Sequence, residues 1–173
     1  FEILFAPFKG SRARLASKTT DVVIEGYPRS GSSFSVYAFA DAQGRLLRIA
    51  NHVHSPSQLI RAAQLSIPAC LLLREPADAV LALATKAPHL KPLDLLHAYA
   101  LYYDSLLPWR EHFVVAPFEL VTTDFGAVID RINLRFSTSF RSLSHADHAR
   151  CTRTFLARTM IWTELGCPRF LRR

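Results

Sequence analysis

The sequence predicts an α/β protein, a three-layer α/β/α sandwich with helices on both faces of a central parallel sheet, in one domain over 1–173. Three observations carry this prediction. The runs 22–24 and 67–73 are apolar without alternation, as in strands covered on both faces. Between them lie segments whose apolar residues recur at helical spacing. The segment boundaries carry Ser57, Pro76, Pro92 and Asp124, residue types that open helices.

Residues 1–5 read as a strand or docking segment, and the basic, small-residue stretch 9–18 reads as loop. Val22, Val23 and Ile24 form the first strand, and a helix follows over 32–40, ended by Gly44. The stretch 46–50 reads as a second strand. Ser57 is an N-cap for a helix to 65, and 67–73 is a third strand. Pro76 suits the first turn of the next helix, which runs through 83 with Asp78 near its positive end. Pro92 opens a helix to 107, stopped by Pro108. Its stripe is Leu95, Tyr99, Tyr103 and Leu106, widened by Leu96, and the two tyrosines read as core. After a fourth strand over 112–116, Thr123 or Asp124 caps a helix that turns Val128, Ile129, Ile132 and Phe136 inward. The tail 142–173 has no regular pattern, so the motif-bearing core is 21–136.

A net charge of +7 points to an anionic ligand. The basic residues are scattered rather than interleaved with aromatics, so nucleic acid is not the expected partner. No apolar run reaches membrane-spanning length and no charged-then-apolar leader is present, in a chain that begins at Phe1. Cys70, Cys151 and Cys167 make an odd count, which fits a reducing, cytoplasmic setting better than a disulfide framework. No metal site is expected: the cysteines lack zinc spacing, and His145-Ala146-Asp147-His148 sits in a loop-like context without further ligands.

Gly26 and Gly31 frame the turn after the first strand. The amides of 29–33 would converge there at the positive end of a helix, a cradle for phosphate. The spacing is that of the P-loop, and the fold is therefore of P-loop nucleotide-binding type. Ser32 stands where a nucleotide hydrolase has lysine, and the turn's cation is Arg29. The strand 70–73 ends in Arg74, where such a hydrolase commonly has a magnesium-holding aspartate. A guanidinium there suits a further phosphate, gripped in bidentate fashion. A P-loop kinase or hydrolase, the alternative reading, would need the missing lysine and magnesium. His52 and His54, two apart and so on one side of an extended segment, are both candidates for a proton-accepting base.

These residues resemble the sulfotransferase family. Tyr27-Pro28-Arg29-Ser30-Gly31-Ser32-Ser33-Phe34 resembles its 5′-phosphosulfate loop, and Arg74-Glu75-Pro76-Ala77-Asp78 its 3′-phosphate segment. His54-Ser55-Pro56 is similar to the turn that carries its base, and Phe118-Glu119-Leu120 to a later tyrosine-glutamate segment. Order and spacing agree over about 21–136. The resemblance implies 3′-phosphoadenosine 5′-phosphosulfate as co-substrate, no metal, and in-line transfer of the sulfuryl group to a hydroxyl or amine of a small-molecule, glycan or lipid acceptor. It implies that Arg29, Ser30, Gly31, Ser32 and Ser33 hold the 5′-phosphosulfate, that Arg74 holds the 3′-phosphate, and that His54 is the catalytic base with Arg29 stabilising the leaving group. The chain departs from the family pattern in Arg29 for lysine, in Ala82 for a phosphate-binding serine, and in lacking a late arginine-lysine-glycine segment, which Arg169, Arg172 and Arg173 do not reproduce. A relative that binds nucleotide without turnover is the remaining alternative.

Overall fold

A computed structural model describes residues 14–164, with side chains through Thr159. Four strands form one parallel sheet in the order β2-β1-β3-β4: β1 Val22–Gly26, β2 Ile49–Asn51, β3 Ala69–Leu73 and β4 Val114–Pro117. Helices connect them: α1 Ser32–Gln43, α2 Pro56–Gln64, α3 Pro76–Lys86, α4 Pro92–Asp104, α5 Phe118–Thr123, α6 Phe125–Phe136 and α7 His145–Glu164. Successive strand residues point to opposite faces, which divides the core in two. Val23, Ala69 and Leu71 pack with Leu59 of α2, Val80 of α3 and Leu95 and Tyr102 of α4. Val22, Ile24, Cys70 and Leu72 pack on the other face with Phe39 of α1, Ile129 of α6 and Cys151 of α7. Each fully buried large apolar side chain contributes roughly 1.5–3 kcal/mol. The unalternated runs of β1 and β3 thus follow from burial on both faces, whereas β4 alternates, with Val115 and Pro117 exposed.

Several boundaries differ from expectation. β2 begins at Ile49 rather than 46, and Leu46 is wholly exposed, having no layer to cover it. Ser55, not Ser57, precedes α2, with Pro56 in its first turn. In α4, Leu96 faces outward and Tyr102 is fully buried in its stead, while Pro108 lies within a 3₁₀ turn, Leu107–His112, rather than stopping α4. β4 gives way to α5 before Asp124 caps α6, its carboxylate accepting from the Ala127 amide at 3.1 Å.

Of the tail without regular pattern, residues His145–Glu164 form α7. The Ser144 hydroxyl accepts from the Asp147 amide at 3.2 Å, so the His145–His148 stretch is a helix start and not a loop. Phe155 of α7 meets Phe34 of α1 edge-to-face, ring centroids 5.6 Å apart. Residues 1–5, Cys167, Arg169, Arg172 and Arg173 lie outside the described residues.

Candidate functional site

The turn after β1 is shaped by steric necessity. A Cβ on Gly26 would sit 2.6 Å from Leu72 O and 2.9 Å from Leu72 Cβ, so only glycine admits the close approach of β1 to β3. Tyr27, buried beneath the turn, donates its hydroxyl to Leu95 O at 2.9 Å and anchors the turn to α4. The Ser30 amide closes back onto Tyr27 O at 3.2 Å. Arg29 and Gly31 have φ of 72° and 93°, left-handed values that double the chain back into α1. No side chain caps α1 at Gly31, and its first turn holds no acidic residue. The first amides of a helix have no intrahelical acceptor, so this terminus offers N–H donors and partial positive charge to an anion. Ser32 is buried, and its hydroxyl has no hydrogen-bond partner among the described residues, whereas Ser33 is exposed.

Arg74 follows directly on β3 and turns to this loop. Its Nη1 donates to Arg29 O at 2.9 Å, its guanidinium carbon lies 4.3 Å from the Phe118 ring centroid, and its Nε is buried with no hydrogen-bond partner among the described residues. The contact uses the carbonyl of Arg29, whose side chain is exposed. Two phenols pin the strand end below. Tyr99 donates to Arg74 O at 2.6 Å and Tyr103 to Leu72 O at 2.8 Å. Burial pushes both phenols above their ordinary range, so they remain donors. The helical stripe marks Tyr99 and Tyr103 as core, and their hydroxyls add this second task. A cleft of about 220 Å³ opens between the ends of β3 and β4, lined by Arg74, Glu75, Tyr99 and Glu119 among others. It lies beyond the carboxyl ends of the strands, where parallel sheets bind ligands.

The histidines stand on the other side of β1. The segment that carries them is not extended: His52 and His54 have φ of 56° and 54°, each costing about 1–3 kcal/mol of backbone strain. Their rings lie edge-to-face at 5.7 Å, but they have different partners. The Asn51 amide, oriented by its bond to Ile49 O at 2.6 Å, accepts from His52 Nδ1 at 2.6 Å. His52 Nε2 is then an acceptor for the Ser33 hydroxyl at 3.0 Å. Burial, with smaller contributions from His54 and Arg14, pushes the His52 pKa down to about 4, which makes it a neutral ring and a weak base. His54 Nδ1 donates to Gly26 O at 2.9 Å and lies 3.4 Å from Glu25 Oε1. A carbonyl has no proton to give, so Nδ1 carries the hydrogen and Nε2 the lone pair.

Glu25 escaped sequence reasoning. It is fully buried in β1, accepting from the Gly26 amide at 3.1 Å and the Val53 amide at 2.8 Å, and burial raises its pKa. The signal was a lone carboxylate closing the apolar run Val22-Val23-Ile24. Phe118, which the sequence marks only through the family resemblance, is the plate beneath Arg74. His148 bonds to the Thr122 carbonyl and the Phe125 amide, a structural role, and no cluster suited to a metal ion occurs among the described residues.

No family model matches the chain, and no curated protein sequence matches it. Among solved structures the chain is similar to mouse sulfotransferase SULT7A1 complexed with PAP, with a TM-score of 0.54 and 13% identity over 84% of this chain. The chain spans 66% of that protein's chain, less than two thirds of its length. The fold, four parallel strands between helical layers, is that of this sulfotransferase. No helix of the described residues is long and apolar enough to cross a membrane.

Proposed function

We propose that the protein transfers a sulfuryl group from 3′-phosphoadenosine 5′-phosphosulfate to a hydroxyl or amine of a small-molecule, glycan or lipid acceptor. One observation carries the reading: Arg74 Nη1 rests on Arg29 O at 2.9 Å, which gathers a guanidinium and an uncapped helix N-terminus at the same strand ends. Two anion sites side by side suit a nucleotide with phosphates on both its 3′ and 5′ positions. The likeness in fold to a sulfotransferase described with PAP supports the same ligand class.

In this mechanism the amides of Ser30, Gly31, Ser32 and Ser33 and the Arg29 guanidinium hold the 5′-phosphosulfate. Arg74 holds the 3′-phosphate. His54 Nε2 takes the proton of the acceptor while the acceptor oxygen or nitrogen bonds to sulfur. The bond from sulfur to the bridging oxygen breaks, and the electron pair stays on the 5′-phosphate. Donors already fixed at the loop stabilise that charge without reorganising. His54 serves better than His52, because its lone pair lies on Nε2 while the Nε2 of His52 is engaged by Ser33. In this reading Arg29 and Arg74 take the places of the lysine and the magnesium-holding carboxylate of a nucleotide hydrolase. A cytoplasmic setting remains part of the proposal, carried by the cysteine count.

The test is a titration with adenosine 3′,5′-bisphosphate followed by thermal melting, then transfer of radiolabelled sulfate to a panel of phenols, alcohols, amines and glycans. A melting shift at micromolar nucleotide and a labelled product are expected. Absence of any shift at millimolar nucleotide overturns the reading, and a shift without product across the panel supports a relative that only binds nucleotide.

A further inference from the structure

We infer that Glu25 is a positioning residue for the His54 imidazole: by holding the Gly26 and Val53 amides it keeps His54 Nδ1 donating to Gly26 O, with the lone pair on Nε2, and it stands beside the positive charge the ring gains on accepting a proton. The inference rests on the sulfuryl-transfer reading, in which His54 is the base.

A fully buried carboxylate is unfavourable unless something compensates it. Glu25 has two kinds of compensation. Its oxygens accept from the backbone, Oε1 from the Gly26 amide at 3.1 Å and Oε2 from the Val53 amide at 2.8 Å. Beside Oε1, at 3.4 Å, stands His54 Nδ1, which donates to Gly26 O at 2.9 Å. Gly26 thus shares its amide with Glu25 and its carbonyl with His54, and the three groups form one compact arrangement at the end of β1. Val53 lies between two residues of left-handed φ, so its bond to Glu25 pins the strained segment that presents His54.

The charge relation follows from the same geometry. Burial raises the Glu25 pKa, and His54 is the largest influence in the opposite sense. A proton arriving on His54 therefore relieves the buried carboxylate. The proton comes from the acceptor group to Nε2 as the bond to sulfur forms, and it leaves to solvent after the nucleotide product departs. The other titratable groups near the pair are His52 on the same segment, Arg14 beside His52, and Tyr102 from α4. Burial keeps the Tyr102 phenol neutral.

The experiment uses full-length protein with ¹⁵N-histidine, in wild type, Glu25→Gln, Glu25→Asp and Glu25→Ala, with His54→Asn to assign the signals. In wild type the His54 spectrum is expected to report hydrogen on Nδ1. In Glu25→Ala it should report a mixture of tautomers, with amide exchange at Val53 at least tenfold faster. In Glu25→Gln the kcat should fall at least tenfold with the affinity for adenosine 3′,5′-bisphosphate within twofold, and Glu25→Asp should recover part of that loss. An unchanged tautomer in every folded variant overturns the inference. So does a loss of kcat matched by an equal loss of nucleotide affinity, the mark of a merely structural carboxylate. If wild type sulfates no acceptor, the sulfuryl-transfer reading fails, and the tautomer measurement still decides whether Glu25 orients His54.

Discussion

Arg74 Nη1 donates to Arg29 O at 2.9 Å while its guanidinium carbon lies 4.3 Å from the Phe118 ring centroid. The end of β3 is thereby tied to the turn after β1 and to the start of α5. A cation held on two sides has lost side-chain freedom before any ligand arrives, which lowers the entropic cost of gripping a phosphate. Substituting Arg74→Ala should weaken adenosine 3′,5′-bisphosphate about 10–100-fold, the loss of one charged hydrogen-bonding partner of roughly 1.5–3 kcal/mol. Adenosine 5′-monophosphate, which has no 3′-phosphate, should bind with little change. Calorimetric titration of both nucleotides checks this, and an equal loss for the two would place Arg74 elsewhere than at the 3′-phosphate.

Phe118 is a separable part of the same arrangement. Phe118→Leu keeps an apolar contact but removes the aromatic face under Arg74, a contribution of about 0.5–2 kcal/mol. Nucleotide affinity should fall a few-fold, with the larger effect again on the 3′-phosphorylated ligand. An unchanged ratio between the two nucleotides would mean that Phe118 acts only as packing.

Gly31 tests the loop's backbone. With φ of 93° it occupies a region that side chains rarely adopt, and an added Cβ would come within 3.4 Å of the Phe118 ring and 3.5 Å of Val121. Gly31→Ala should cost about 1–2 kcal/mol of stability. By contrast, Arg29→Gly relieves a left-handed non-glycine residue and should melt no lower than wild type while binding nucleotide more weakly. Urea unfolding of both variants checks the pair, and a large loss of stability in Arg29→Gly would show that its side chain holds the fold.

The sheet was legible because β1 and β3 are covered on both faces and need continuous apolar runs. The anion loop was legible because glycine spacing reports backbone shape directly. Glu25 was not, since its compensation comes from the Val53 amide, 28 residues away in sequence, and becomes visible only once that segment folds over β1. α7 was missed for a related reason. Among its described side chains the buried contacts are His148, Cys151 and Phe155 among threonines and arginines, too sparse a stripe to register without α1 beside it. Tyr102 and Leu96 exchanged roles because α4 is apolar on more than one side, so spacing alone does not choose the face that Tyr27 meets.

His52 should make stability depend on pH. Its pKa falls from 6.5 to about 4 on folding, so the unfolded chain binds the proton more tightly between those values. Its contribution is therefore complete above pH 6.5 and is lost as pH drops toward 4, by roughly 3 kcal/mol. The stability difference between wild type and His52→Gln should grow from pH 4 to pH 6.5 and level off above. A flat difference across that range would mean that the ring is solvated and titrates normally.

Glu25 acts in the opposite sense over an overlapping range. Burial raises its pKa in the folded state above 4.5, so the folded chain holds that proton more tightly than the unfolded chain. The associated stability is present below pH 4.5 and is lost as pH rises through the folded-state value. Glu25→Gln removes the titration but sets an amide nitrogen against one of two backbone N–H groups, and so lowers stability at every pH. The gap between wild type and Glu25→Gln should accordingly be widest in acid and narrow toward neutral pH. Denaturant unfolding at closely spaced pH values measures it. A gap that widens toward neutral pH would mean that His54 and the amides of Gly26 and Val53 outweigh burial, leaving Glu25 ionised throughout.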